Sequence, residues 1–405
     1  MDGTNQFRPI YLDHNATTPV DPGVLEAMLP YFTEAFGNPS SVDHAYGHEA
    51  AGAVEHARAA VARAIGARAE EVVFTGSCTE ANNLAIVGLA RALGEPGHFV
   101  TTAVEHPSVL EAFRAIEREG HSVTYVGVDS EGRVDPDEVA AAITDRTRLV
   151  SVMAANNEVG ALQPLREIGA VCERFGVLFH SDLAQAAAYV SVNVGEVGLH
   201  LASISAHKAY GPKGVGALYV RSRRPRPRLV ALVHGGGQER GLRSGTVSTP
   251  LVVGMGAALE VARGRRERDA ARLQEMTERL ASRLSGSLEG VWRNGPSEAR
   301  LPHTLSFSIE GVEPLALMRA LRDVVSFSAS SACSTREVRT SHVLLAMFGE
   351  GWRARQAFRL APGRFTTDEE IERAAEALAA AAARLRDAVG SGTGAGAGPL
   401  RAGIG

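Results

Sequence analysis

Glu71-Val72-Val73-Phe74-Thr75-Gly76-Ser77-Cys78-Thr79-Glu80 is the stretch on which the reading of the fold turns. Its first half is a short run of β-branched and apolar residues, which reads as a buried strand. Small residues then make a tight turn, and hydroxyls with an acid open a helix. Strand, turn and helix in that order form the unit from which a mostly parallel sheet covered by helices is built.

Outward from this stretch the same alternation runs from about residue 50 to 230. The patterns predict helices over 50–65, 79–93, 108–119 and 165–175, and strands over 71–75, 99–102, 123–126, 149–153, 177–180, 201–204 and 216–220. The fold class is therefore α/β. Past the glycine-rich connection His234-Gly235-Gly236-Gly237, a helix from Pro250 leads into an Arg-rich segment, 264–284, that reads as a long solvated helix. Residues 290–388 read as a second α+β unit, with a strand in 301–309 and helices over 314–322 and 368–389. The expected division is a large domain at 17–263 and a smaller α+β domain made of 1–16 and 264–389. The Gly/Ala-rich tail, 390–405, is expected to be disordered.

At 405 residues the chain has room for two domains, on a prior of about 150 residues for each. Its 45% hydrophobic and 22% charged residues are those of an ordinary soluble protein. A net charge of −4 makes no field that recruits nucleic acid or an anionic membrane. Direct nucleic-acid binding is not expected, and the run Arg221, Arg223, Arg224, Arg226, Arg228 reads as a solvated edge. No segment approaches the roughly 20 apolar residues of a membrane helix, and the polar N-terminal residues do not read as a signal peptide. Cys78, Cys172 and Cys333 are widely spaced and odd in number, which argues for a reducing, cytoplasmic setting.

Lysine is almost absent. The chain holds 42 Lys and Arg residues, and lysine stands only at positions 208 and 213. Arginine matches lysine as a charge, but it cannot supply a primary amine that loses its proton and condenses with an aldehyde. Lys208 is the candidate for that chemistry, whereas Lys213 reads as turn support or a solvent contact.

Val177-Leu178-Phe179-His180-Ser181-Asp182 puts an acid at the carboxyl end of a buried strand, where open α/β sheets bind ligands. Such an acid either holds a ring nitrogen protonated or caps the following helix. The turn at 76–79 offers amides, the positive end of a helix and the hydroxyls of Ser77 and Thr79 to a phosphate. Phosphate seat, pyridinium partner and aldehyde-binding amine are the three handles of pyridoxal phosphate. Asp182 would keep the ring an electron sink, Lys208 would bond the aldehyde, and Cys78-Thr79 would hold the phosphate.

The chain resembles the cysteine desulfurases of the nitrogen-fixation and iron–sulfur-cluster type, class V of the fold-type I pyridoxal-phosphate aminotransferase superfamily. The segments that carry the resemblance lie almost end to end: Tyr11-Leu-Asp-His-Asn-Ala-Thr-Thr-Pro19, Phe36-Gly-Asn-Pro-Ser40, Thr79-Glu80, Glu105-His106, Asn156-Asn-Glu-Val-Gly160, Asp182-Leu-Ala-Gln185, Ser205-Ala-His-Lys208, Gly211-Pro-Lys-Gly214, the run from Gly235 to Thr246, Ser331-Ala-Cys333, and Arg359 with Gly363-Arg-Phe-Thr366. It implies a large domain with a seven-stranded-type sheet. It implies that His106 stacks on the cofactor ring and moves protons. Asn157 and Gln185 would bond the ring oxygen or substrate, and Ser205 and His207 would join Thr79 at the phosphate. Thr246 would reach the phosphate of a neighbouring subunit, which implies a homodimer with shared active sites. Arg359 would clamp the carboxylate of L-cysteine as a bidentate fork, with Asn38 also on the substrate.

Cys333 decides the reaction. It lies in a small, polar stretch, 326–341, that reads as a mobile loop able to present a thiolate. The resemblance implies that Lys208 removes the α-proton of cysteine. The Cys333 thiolate then attacks the substrate sulfur, leaving a Cys333 persulfide and alanine. Cys172 shares a helix face with Leu165, Ile168, Val171 and Phe175 and reads as core. Cys78 departs from the Ala, Ser or Gly usual in this family's phosphate turn. His44 and His48 stand four apart with no third ligand evident, so no metal is expected. Another fold-type I enzyme (a selenocysteine lyase or aminotransferase) and a sulfur-donor subunit of a modification complex are the rival readings. The sulfur acceptor stays open between an iron–sulfur scaffold, transfer-RNA thiolation, cofactor sulfur and DNA phosphorothioation. After Arg386 the chain lacks the aromatic scaffold-docking tail of the housekeeping pattern, which favours a specialised pathway.

Overall fold

Seven strands make the central sheet of the computed structural model, which describes residues 8–329 and 340–392. In chain order they are β1 (Val72–Thr75), β2 (His98–Thr102), β3 (Ser122–Val126), β4 (Thr147–Ser151), β5 (Leu178–Asp182), β6 (Leu201–Ser205) and β7 (Gly216–Val220). Across the sheet they lie β1-β7-β6-β5-β4-β2-β3. Every pairing from β6 to β3 is parallel, and β7 alone runs antiparallel, to both β6 and β1. All residues of β1, β2, β6 and β7 are buried. That follows from the helices that cover both faces of the sheet.

The covering helices are α1 (Ala45–Ile65), α2 (Cys78–Ala92), α3 (Pro107–Arg118) and α4 (Leu165–Phe175). α1 starts five residues before the expected Ala50, because the His44 ring caps it: Nδ1 accepts from the Gly47 amide at 3.1 Å. His48 Nε2 lies 2.8 Å from the Val42 carbonyl. The pair that resembled two metal ligands thus shapes a helix start. Cys172 is buried in α4, and burial pushes its thiol up to about 12.

α5 runs unbroken from Thr249 to Ser287. The sequence suggests a separate, solvated helix over 264–284, but Leu273, Met276, Leu280 and Leu284 are all buried there. These apolar residues recur every three or four positions, so one stripe packs inward while the arginines occupy the rest. α5 carries the chain from the large sheet to a four-stranded antiparallel sheet of β8 (Val291–Asn294), β9 (Leu305–Ile309), β10 (Ser328–Ala329) and β11 (Ala357–Leu360), in the order β10-β11-β9-β8. A two-residue parallel ladder, Ile10–Tyr11 with Val325–Ser326, ties the N-terminal segment beside this sheet. α6 (His342–Phe348) precedes β11, and α7 (Asp368–Gly392) packs on α5 and extends past the expected Val389.

Candidate active site

The strand ends converge on one cavity of about 390 Å³. β1 delivers Ser77, Cys78 and Thr79; the turn after β2 delivers His106; β4 leads to Met153, Ala155 and Asn157. β5 ends on Asp182, with Gln185 just beyond, and β6 ends on Ser205, with His207 and Lys208 just beyond. Asn15, Ala16, Ser108, Ala184 and Arg359 complete the wall. Parallel strands place all their carboxyl ends on one edge, so residues scattered over the chain meet there.

Asp182 is buried with one oxygen on each of two neighbours. Oδ2 accepts from Asn82 Nδ2 at 2.8 Å, and Oδ1 from the Ala184 amide at 2.8 Å. Cys78 Sγ lies 3.6 Å from Oδ1. Burial and the Asp182 charge push the Cys78 thiol well up, so it stays protonated at neutral pH. Ser77 Oγ accepts from the Glu80 amide at 3.0 Å and caps α2. The preceding amides, of Cys78 and Thr79, come before any carbonyl of the helix that could accept them. Gly216 lies directly under this turn, where an added Cβ would stand 2.5 Å from the Ser77 carbonyl carbon.

Lys208 reaches the cavity from the turn after β6. Its Nζ donates to the Asn15 carbonyl and, at 2.7 Å, to the Ala16 carbonyl. Burial, then the Arg359 charge, brings the ammonium down to about 8. A measurable share of this amine is therefore neutral near physiological pH. His207 is held by Thr17 Oγ1 at 3.1 Å. Burial and the two lysines bring its ring down to about 4, so it is neutral.

His106 caps α3: its Nδ1 accepts from the Ser108 amide at 3.1 Å and lies 2.8 Å from Ser108 Oγ. The ring stays open to the cavity. Surrounding protein nevertheless lowers its pKa, an effect that Asp182 opposes. Arg359, on β11, donates Nη1 to the Asn157 carbonyl at 2.8 Å and Nη2 to Asp13 Oδ1 at 2.7 Å. Its buried Nε has no partner among the described residues. Gln185 donates to the Asn15 carbonyl at 2.9 Å, and Asn15 donates to the Asn157 carbonyl at 2.9 Å.

Two expected site residues lie elsewhere, and a third falls outside the described residues. Asn38 is exposed and its Oδ1 takes the Ser40 amide at 2.9 Å. Thr246 is exposed and lines no part of this cavity. Cys333 lies outside the described residues. Lys213 is exposed and borders a separate hollow with Tyr11 and His14. A wider surface hollow, about 1180 Å³, is bordered by Arg224, Arg226 and Arg228 and holds none of the groups above. Chemistry, not size, marks the site.

Asn15 and Asn82 were not singled out in the sequence. Asn82 sits four residues after Cys78 on α2, so helical spacing alone puts the two on one face. Asn15 lies in the Tyr11–Pro19 segment that carries the resemblance, but a loop residue has no periodicity to give it a place in the site.

These groups fit pyridoxal phosphate: free helix amides for an anion, a fixed buried carboxylate for a ring nitrogen, and a partly neutral amine for an aldehyde. Fold and site together define a pyridoxal-phosphate-dependent α/β enzyme. The chain belongs to the class-V aminotransferase family, whose model matches residues 10–374. It is 46% identical over 377 residues to a cysteine desulfurase IscS of Rickettsia bellii (strain OSU 85-389), spanning 93% of this chain and 92% of the relative. Among solved structures, a NifS-like protein superposes with a TM-score of 0.85 at 34% identity, over 95% of this chain and all of that one. A structure of SspA in complex with cysteine matches with a TM-score of 0.78 at 36% identity, over 88% of this chain and 100% of that one. No helix among the described residues is long and apolar enough to cross a membrane.

Proposed function

We propose that the protein is a cysteine desulfurase that converts L-cysteine to L-alanine and passes the sulfur on as a Cys333 persulfide. The observation that carries this reading is the meeting of Lys208, Asp182, the start of α2 and Arg359 in one cavity. The desulfurase relatives and the cysteine bound in a structural neighbour support the same substrate.

Bound here, pyridoxal phosphate supplies an electron sink that acidifies the substrate's α-hydrogen and weakens the bond to its sulfur. The Cys78 and Thr79 amides, Ser205 and His207 would hold the phosphate, and Asp182 would hold the ring nitrogen. His106 would stack on the ring, and Asn157 and Gln185 would bond the ring oxygen or the substrate. Arg359 orients the substrate carboxylate. Lys208 Nζ takes the α-proton, a role that its lowered pKa suits. The Cys333 thiolate then forms an S–S bond as the substrate's Cβ–S bond breaks, and the electron pair left on carbon takes a proton. The sum is L-cysteine plus Cys333 thiol giving L-alanine plus Cys333 persulfide.

Thr246 serves the phosphate of a second copy, so the working unit is a homodimer. Exposed Leu25, Leu29, Phe32, Phe36, Val42 and Tyr46 give such a copy apolar surface to cover. The large domain spans 17–263, and the free thiols suit the cytoplasm. The acceptor is an iron–sulfur scaffold, a transfer-RNA thiolation protein or a DNA phosphorothioation complex.

The test is alanine and sulfide release from cysteine under reductant by the wild type, Lys208→Ala and Cys333→Ser. Loss of cofactor absorbance in the first variant and of sulfide in the second is expected. Full activity in Cys333→Ser would replace this reading with a persulfide-independent lyase or aminotransferase.

A further inference from the structure

The turn after β4, Asn156-Asn157-Glu158-Val159-Gly160, is braced from within. Asn156 Oδ1 accepts from the amides of Glu158 at 2.8 Å and Val159 at 3.0 Å, and its Nδ2 donates to the Val104 carbonyl at 3.0 Å. Gly160 closes the turn at φ 79°, a conformation that a side chain disfavours. Two successive residues of this turn then hold two different things. The Asn157 carbonyl holds Arg359. The Glu158 carboxylate, buried, accepts from Ser341 Oγ at 2.5 Å.

Ser341 is buried as well, and its Oγ accepts from the Leu344 amide at 3.2 Å, capping α6. The next residue, His342, sets Nε2 2.9 Å from the carbonyl of Glu105, which immediately precedes His106. Ser341-His342 is therefore fastened twice to the cavity wall, at the turn that holds Arg359 and at the corner that presents His106. In the sequence, Ser341 follows Cys333 by eight residues. Water has no access to replace a lost partner at a buried pair like Glu158 and Ser341, so the bond is costly to break.

We propose that Glu158 is a positioning residue for the sulfur-transfer step. Its bond to Ser341 fixes one end of the Cys333-bearing segment to the same braced turn that holds Arg359. Ser341 and the Arg359 guanidinium are then referred to one rigid origin. This inference rests on the desulfurase reading and adds to it a residue that touches neither substrate nor cofactor. Burial raises the Glu158 carboxyl above its ordinary range, opposed by the Ser341 bond and by the His342 and Arg359 charges. What Ser341 needs is an acceptor oxygen, and an amide supplies one.

The experiment compares holoenzymes of wild type, Ser341→Ala, Glu158→Ala and Glu158→Gln with cysteine in deuterium oxide. Exchange of the substrate's α-hydrogen reports the steps before sulfur transfer, and alanine reports the whole reaction. Ser341→Ala and Glu158→Ala are expected to slow alanine formation about tenfold while exchange stays within about twofold, since misplacement penalises only the step that needs alignment. Glu158→Gln is expected to restore alanine formation. In cofactor-free protein, iodoacetamide labelling of Cys333, read by peptide mass, is expected to quicken at least about threefold in Ser341→Ala as local restraint is lost. Unchanged alanine formation in Ser341→Ala, or exchange and alanine falling in parallel with labelling unchanged, overturns the proposal. Failure of the desulfurase reading is seen separately: the wild type itself forms no alanine, while the labelling comparison still reports the anchor.

Discussion

Asp13 Oδ1 accepts Nη2 of Arg359 at 2.7 Å, joining two residues 346 positions apart. The guanidinium is pinned before substrate arrives, with Ser328 Oγ also 3.2 Å from Nη2. Ordering an arginine costs about 2 kcal/mol of rotamer freedom. Here that cost is met in folding, which leaves more of the substrate's binding energy for alignment.

Removal of this partner should act on substrate capture. Asp13→Ala is expected to raise the KM for cysteine about tenfold with kcat nearly unchanged, a loss of uniform binding. Arg359→Lys should raise it further, because an ammonium cannot offer two parallel N–H groups. Steady-state alanine formation checks both. An unchanged KM in Arg359→Lys removes Arg359 from the substrate site.

Lys208 should titrate near 8 in place of the ordinary 10.5. Below that value each pH unit costs about a tenfold loss of free amine. Cofactor uptake by the apoprotein, followed by its visible absorbance, should rise with pH and level off above 8. An ordinary lysine would give a rise that continues past 10. The linkage has a definite sign. The unfolded chain holds this proton more tightly, so the folded state carries a penalty below pH 8 that is relieved between 8 and 10.5. The melting temperature of Lys208→Met, relative to wild type, should therefore be higher at pH 7 than at pH 10.

Gly216 and Gly264 make a contrasting pair. A Cβ on Gly216 would meet backbone, the Ser77 carbonyl carbon at 2.5 Å and the Cys78 amide at 2.7 Å, so the turn at the start of α2 must move. Gly216→Ala is expected to cost about 1–3 kcal/mol of stability and to weaken cofactor binding. Gly264 is exposed within α5 and has nothing within 4 Å. Gly264→Ala should stabilise by about 1 kcal/mol, the helix preference of alanine over glycine. Denaturant midpoints decide both.

Much of the site was legible without coordinates because its chemistry requires particular residue types. A lysine-poor chain exposes its one useful amine. The acid at a buried strand's end, which alone reads equally well as a helix cap, gains its meaning beside that amine and the phosphate turn. Helix and strand periods placed most covering elements within a few residues. Less was legible in the small sheet: β8 and β11 have four residues each, too short for a period of two to rise above chance. The solvated reading of 264–284 missed the buried stripe because arginines dominate the composition there and hide its spacing.

By itself, then, the sequence determined whatever depends on local order: strand, turn and helix, the parallel sheet that such units build, and the residue types able to hold a phosphate, a ring nitrogen and an aldehyde. Only the tertiary structure decided which of those residues meet. The pinning of Arg359 by Asp13, the hub at Asn15 and the bond from Glu158 to Ser341 join segments far apart in the chain. Such contacts leave no periodic trace, because they arise from the packing of whole elements and not from the preferences of neighbouring residues.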